Sequence, residues 1–226
     1  KMTFSIVGFC NRTKMSGVAI TTSSIAVGSR CPWVRSNAGA VTSQNVTDPS
    51  IGNDVLDHME KGNSAQVSIE YSLKTRKNIE YRQVAAVDIN GNTASFTGKN
   101  ILGKHAVSEG LHCIAAGNLL MNETLAKVMT DNFEVNKEMH LADRLITALQ
   151  SGIDNGGEEG PTHSAAILVA HQQKWPLVDL RVDWDNDCPV KKLKSLWHDY
   201  EPQMEPYLLR ALDPSKAPSY GVPGDI

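Results

Sequence analysis

The sequence predicts an α+β protein built as one domain over residues 1–226, and three observations predict it. Strand-like and helix-like segments follow one another in blocks: strands, then helices, then strands, then a helix. Strict β-α-β alternation is missing, which disfavours a doubly wound parallel sheet. A hairpin dipeptide, Asn90-Gly91, joins two alternating runs. The opening run TFSIVGFC, Thr3 to Cys10, alternates hydroxyl and large apolar side chains, which puts Thr3 and Ser5 on one face and Phe4 and Ile6 on the other. Two sheets packed between helices would fit this order. Composition and periodicity do not by themselves select that architecture.

Taken in order, a second hydroxyl-bearing strand is expected over Gly17–Ser24, GVAITTSS, and a third over Ala38–Gln44, AGAVTSQ, whose small residues suit a crowded sheet centre. A turn follows at Asn45 to Pro49, because the residue before a proline avoids the helical region. Ile51, Val55, Leu56 and Met59 repeat at helical spacing, with Gly62 as the stop. Residues 64–73 carry two patterns. Val67, Ile69, Tyr71 and Leu73 alternate as a strand would, whereas Ser64 reads as a helix cap ahead of Ala65, Ile69 and Leu73. The hairpin pairs Tyr81–Asp88 with Thr93–Thr97. Leu111–Ala116 is a short strand that ends at a Gly117-Asn118 turn. One helix starts near Asn122, and a second runs from about Lys137 to Ser151 with Gly152 as stop. A glycine-rich acidic loop occupies Ile153 to His163. Strands follow at Ser164–Ala170 and Leu177–Val182. Residues 187–226 form a C-terminal helix and an extended tail. Leu193, Trp197, Tyr200, Met204 and Leu208 keep helical spacing, and Pro202 and Pro206 predict a break or kink.

Composition excludes several classes. A formal net charge of −3 and a pI near 6.2 leave no electrostatic footprint for nucleic acid or an anionic membrane. No apolar run approaches the ~20 residues that span a bilayer. No charged-then-apolar leader precedes the first strand, so no secretory signal is expected within this chain; Lys1 is not an initiator residue, so it is either an added residue or the native start lies upstream. The four cysteines, Cys10, Cys31, Cys113 and Cys188, are scattered without C-x-x-C spacing. Reduced, mostly buried thiols in a cytoplasmic protein are the expectation. No P-loop or dinucleotide glycine pattern and no paired metal-ligand histidines occur, so neither a metal nor an organic cofactor is implied.

An opening T-F-S-I-V followed by Gly17-Val18-Ala19 and Ala26-Val27-Gly28 resembles an uncharacterised bacterial family with the N-terminal-nucleophile (Ntn) hydrolase fold. Further ordered matches extend the resemblance along the chain. They include Ser43-Gln44-Asn45-Val46-Thr47-Asp48-Pro49, Gly117-Asn118-Leu119-Leu120, Gly156-Gly157-Glu158, Asp179-Leu180-Arg181-Val182-Asp183 and Arg210-Ala211-Leu212-Asp213-Pro214. The resemblance implies a four-layer αββα sandwich and favours helix over residues 64–73. It also implies that Thr3, at the head of a central strand, is the nucleophile once its own α-amino group is free to act as base.

The candidate residues carry alternatives. Thr3 is either that nucleophile or an ordinary strand residue, and Ser5 is a second hydroxyl on its face. Asn118, with the Gly117 backbone, is either an oxyanion donor or a turn residue. Asn45 either orients a substrate carbonyl or forms a turn. Arg30, Arg82 and Arg181 are candidates to read a substrate carboxylate. The Asp179-x-Arg181-x-Asp183 pattern equally describes a structural charge ladder. Glu158 and Glu159, with His163 nearby, are either acid–base groups or a solvated rim. The leading expectation is a hydrolase of a small-molecule amide or related C–N bond. A non-catalytic small-molecule-binding protein on the same fold is the alternative. A structural oligomer subunit, with a homodimer formed through the aromatic and proline-rich C-terminal segment, is the third.

Overall fold

The computed structural model describes residues 3–222 and bears the α+β expectation out, with two antiparallel sheets and helices outside them. The first sheet has six strands: β1 (Thr3–Phe9), β2 (Ser16–Thr22), β7 (Ala106–Gly110), β8 (Cys113–Asn118), β9 (Ser164–Ala170) and β10 (Val178–Val182). Their order is β10-β9-β2-β1-β8-β7, so β1 is central. The second sheet, in the order β3-β4-β5-β6, joins β3 (Pro32–Arg35), β4 (Gly39–Asn45), β5 (Arg82–Asp88) and β6 (Thr93–Thr97). The helices are α1 (Ser50–Glu60), α2 (Ala65–Leu73), α3 (Leu125–Val135), α4 (Leu141–Asp154) and α5 (Pro189–Leu212).

Period-two burial sorts β1 between two cores. Phe4 and Ile6 meet Met129, Phe133, Leu145 and Leu149 of α3 and α4, with Trp197 of α5 in the same cluster. Val7 and Phe9 pack with Val18, Ile20, Ile114, Ala85 and Val87, which fills the space between the sheets. A third cluster, including Val41, Val55, Leu56 and Ile69, seals the outer face of the smaller sheet under α1 and α2. β1 is therefore buried on both faces, and its hydroxyl face points between the sheets.

Residues 65–73 form a helix. The Ser64 hydroxyl accepts from the Val67 N–H, an N-cap that decides against the competing strand pattern. The hairpin forms at the expected place but with a wider loop. The Asp88 carboxylate accepts the Asn90 and Asn92 N–H groups, and of the Asn90-Gly91 pair Gly91 alone takes positive φ. Two edge strands were not foreseen. β3 is short and opens with Pro32, and β7 carries too few apolar residues to show a period.

Gly152 does not stop α4. It lies inside the helix, where a Cβ would come within 2.9 Å of the Phe4 ring, so its role is close packing of helix on sheet. α5 runs unbroken through Pro202 and Pro206. The carbonyls left without helical donors belong to His198 and Pro202, both on the water-facing side, where solvent replaces the bond. Beyond α5 the tail folds back on the helix: Arg210 stacks 3.7 Å from the Tyr220 ring centroid and donates to the Pro218 carbonyl. No helix among the described residues is long and apolar enough to cross a membrane.

Candidate active site

The head of β1 is where three strands bring polar side chains together. Antiparallel register sets Thr3 opposite Thr22 on β2 and opposite Asn118 on β8. Directly paired residues share a face, so all three side chains enter the space between the sheets. The Thr3 and Thr22 hydroxyls lie 2.9 Å apart. Both residues are nearly inaccessible, with Thr3 5% exposed. Their exposed edge opens on a cavity of about 280 Å³. Ser24, Arg30, Asn45 and Thr47 also line it, and among the described residues Arg30 is its one charged side chain.

One layer deeper, a chain of side chains crosses from sheet to sheet. Ser5 Oγ donates to Gln44 Oε1 at 2.7 Å, and Gln44 Nε2 donates to Gln83 Oε1 at 2.8 Å. Gln83 Nε2 donates to the Gly117 carbonyl at 3.2 Å, and Asn118 Nδ2 reaches Gln83 Oε1 at 3.4 Å. Each of these residues is fully or almost fully buried. Buried amides in a low-dielectric layer need such partners, and once satisfied they hold one another rigidly. Asn118 Oδ1, on the residue paired with Thr3, has no hydrogen-bond partner among the described residues.

Glu158 is the third component. An isolated bridge pairs it with Leu120, and Glu159 N–H donates to the Leu119 carbonyl, so the acidic loop is tied to the chain just past β8. Its side chain is buried, and neither carboxylate oxygen makes a well-formed hydrogen bond among the described residues, although the Ser23 backbone lies close enough to favour the charged form. Burial pushes the carboxyl up to about 9, and the Ser23 backbone only partly opposes this.

Residues 3–193 match the model of the family of unknown function DUF1028. The chain belongs to the DUF1028 family. Among solved structures, protein SPO2555 from Silicibacter pomeroyi, assigned to the same family, is 30% identical with a TM-score of 0.81. The match covers 88% of this chain and 89% of that one. Anbu (ancestral beta-subunit) from Yersinia bercovieri aligns at 8% identity and a TM-score of 0.35, over 89% and 96% of the two chains, a likeness too distant to carry an argument. Comparison with curated proteins finds no match.

In this DUF1028 chain the remaining candidates separate. Arg30 stays at the cavity, where its Nη1 donates to the Ile25 and Ala26 carbonyls at 2.7 and 2.9 Å. Arg181 does not reach it. Arg181 lies on the edge strand β10, held by Asp179 through two bonds of 2.8 and 3.0 Å, and it packs over Gly28. Asn45 lines the cavity, but its amide is spent on loops: Nδ2 donates to the Tyr81 carbonyl at 2.8 Å and Oδ1 accepts from the Leu102 N–H at 3.3 Å. Its φ of 71° is the left-handed geometry of a turn former. Arg82 donates to the Val46 carbonyl and braces the same turn.

Gly117 and Asn118 are not a turn. Both complete β8, and the left-handed residue is Leu119, one position later. The two loop carboxylates part company, with Glu158 buried and Glu159 exposed, and His163 stacks on Trp184 with its ring on the Asp185 carbonyl. Thr22, Gln44 and Gln83 were not singled out from sequence. The hydroxyl-rich run of the second strand was the one signal for Thr22. The glutamines gave none: register across β4 and β5 makes them neighbours, and only the stacking of the two sheets brings them to Ser5 and Asn118.

Proposed function

We propose that this protein is an Ntn-type hydrolase of a small amide or related C–N bond, acting through Thr3 when Thr3 begins the chain. The observation that carries the reading is Thr3 at the head of the central strand, its hydroxyl on Thr22 and its edge open to a cavity holding Arg30. The helix–sheet–sheet–helix order of the packed clusters supports an αββα sandwich of the Ntn kind. Fold alone assigns no reaction, so the site must carry it.

Thr3 Oγ1 attacks the amide carbonyl carbon while its proton passes to the Thr3 α-amine, which titrates near pH 8 and is partly neutral at pH 7. The tetrahedral oxygen is assigned the second N–H of Asn118 Nδ2, whose first is directed at Gln83 Oε1. Collapse breaks the C–N bond, and the α-ammonium returns its proton to the leaving nitrogen. Water then cleaves the Thr3 ester. Arg30, through its guanidinium, is the group to read a substrate carboxylate. The four cysteines are free thiols, three of them buried, which fits a reducing compartment such as the cytoplasm.

The same cavity supports a second reading, a protein that binds an anionic small molecule without turnover, because Arg30 and the hydroxyl lining need no free amine. Intact mass and N-terminal sequencing of untagged protein separate the two. A chain beginning at Thr3, with turnover in a screen of carboxylate-bearing amides that Thr3→Ala abolishes, supports the hydrolase. Binding without turnover in that chain moves the assignment to the second reading.

A further inference from the structure

Glu158 has no part in the reaction outlined above, yet its position is specific. Thr3 is paired with Thr22 on one side and Asn118 on the other. Ser23 follows Thr22, and Leu119 and Leu120 follow Asn118. Glu158 is bridged to Leu120, and its carboxylate lies close enough to the Ser23 backbone to feel it. A side chain anchored beside β8 and reaching β2 must cross the line of β1 just ahead of Thr3. That is where the amino group of a chain beginning at Thr3 would lie.

The chemistry of the spot calls for a cation. Glu158 is 5% exposed, and beyond the nearby Ser23 backbone neither of its oxygens has a hydrogen-bond partner among the described residues. An unpaired buried carboxylate is costly, and a group so placed either stays protonated or meets a positive charge. Among the described residues, the charged groups nearby are committed elsewhere. Lys104 Nζ donates to the Met121 carbonyl at 3.1 Å, Arg30 holds two carbonyls on the cavity side, and Glu159 is exposed.

We propose that Glu158 is the counter-ion of an α-ammonium at the head of β1, anchoring the amino group of Thr3 when Thr3 begins the chain. It is a positioning residue, acting through the amine that serves as base. The inference rests on the hydrolase reading for the need to expose Thr3, but its test does not depend on turnover.

The test uses protein beginning at Thr3, as parent, Glu158→Gln and Glu158→Asp. Each is treated with a small amine-acylating ester across a pH series, and mass spectrometry of the N-terminal peptide reports the labelled fraction. Only the neutral amine reacts. A carboxylate within ~4–6 Å raises an amine pKa by about one unit or more. The parent midpoint should therefore lie above the ordinary α-amine range of about 7.7–8.0. Glu158→Gln should label roughly tenfold faster at pH 7, in line with a shift of about one unit. Glu158→Asp should stay nearer the parent. A parent midpoint in the ordinary range overturns the proposal, and this needs no variant to fold. So does a raised midpoint that Glu158→Gln leaves in place, with lysine ε-amines as the internal control. A midpoint governed by Glu158 in a protein whose Thr3 hydroxyl never acylates supports the anchoring and removes the hydrolase reading. Acylation of Thr3 with an ordinary, Glu158-independent midpoint does the reverse.

Discussion

The hydroxyls of Thr3 and Thr22 meet at 2.9 Å across the two strands at the centre of the larger sheet. Register alone makes this pair, since a slip of one residue would turn either hydroxyl toward the helices. The pairing gives the Thr3 oxygen a fixed direction between the sheets. In protein beginning at Thr3, Thr3→Ala should abolish turnover. Thr22→Val should reduce kcat by roughly threefold to tenfold, the equivalent of one neutral hydrogen bond. Steady-state kinetics on the amide found by screening measure both. A Thr22→Val enzyme with parental kcat would show that the contact has no part in the reaction.

Arg30 and Arg181 should behave differently. Arg30 lines the Thr3 cavity, and Arg181 is paired with Asp179 on the edge strand. Arg30→Ala should raise KM for a carboxylate-bearing substrate by about tenfold or more, the loss of one charge-assisted contact of ~1.5–3 kcal/mol. Arg181→Ala should leave kcat and KM unchanged and cost at most about 1 kcal/mol, as partly exposed ion pairs do. Equal kinetic losses in both variants would contradict the assignment.

Gln83 serves three groups at once: Gln44 Nε2, Asn118 Nδ2 and the Gly117 carbonyl. Gln83→Leu leaves these buried without partners, and each such group costs about 1–3 kcal/mol when stranded. Urea unfolding should show a loss of at least ~2 kcal/mol on that scale. A neutral substitution would mean that water takes over the bonds.

Glu158 gives the stability a defined pH dependence. Its folded carboxyl is pushed up to about 9 from an ordinary 4.5. Between those values the folded protein keeps a proton that the unfolded chain has released. Stability contributed by this group is therefore complete below the lower value and is lost as pH rises toward the upper one, at up to ~1.4 kcal/mol per pH unit. In the 226-residue chain, Glu158→Gln should gain on the parent steadily from about pH 5 to pH 9 in urea midpoints. Parallel profiles for the two proteins would exclude an uncharged Glu158 in the folded state.

Gly152 tests the packing of α4 on β1. A Cβ there would stand 2.9 Å from the Phe4 ring and 3.0 Å from Met129 Sδ. Gly152→Val should cost about 1–3 kcal/mol through overpacking, despite the removal of a helix glycine. A thermal melt at or above the parental midpoint would show that Phe4 yields.

The sequence by itself determined the elements whose side chains repeat within one segment. The alternation of Thr3 to Ile6, the helical spacing of Ile51 to Met59 and of Leu141 to Leu149, and the run Ser164–Ala170 all express burial on one or both faces, and burial writes its period into the chain. Arg30 and Glu158 could be singled out because their own chemistry marks them, and Thr3 because the family resemblance implies a nucleophile at the head of the first strand. Only the tertiary structure decided what they meet. Ser5, Gln44, Gln83 and Asn118 come from both sheets, and hydrogen bonds across a sandwich leave no local pattern. Gly152 reads as a stop until Phe4 is placed against it. Arg181 and Arg30 look alike until the strand order sets one at an edge and the other at the cavity. Contacts between residues far apart in sequence depend on register and sheet stacking, which are fixed by the sum of the packing and not by any single segment.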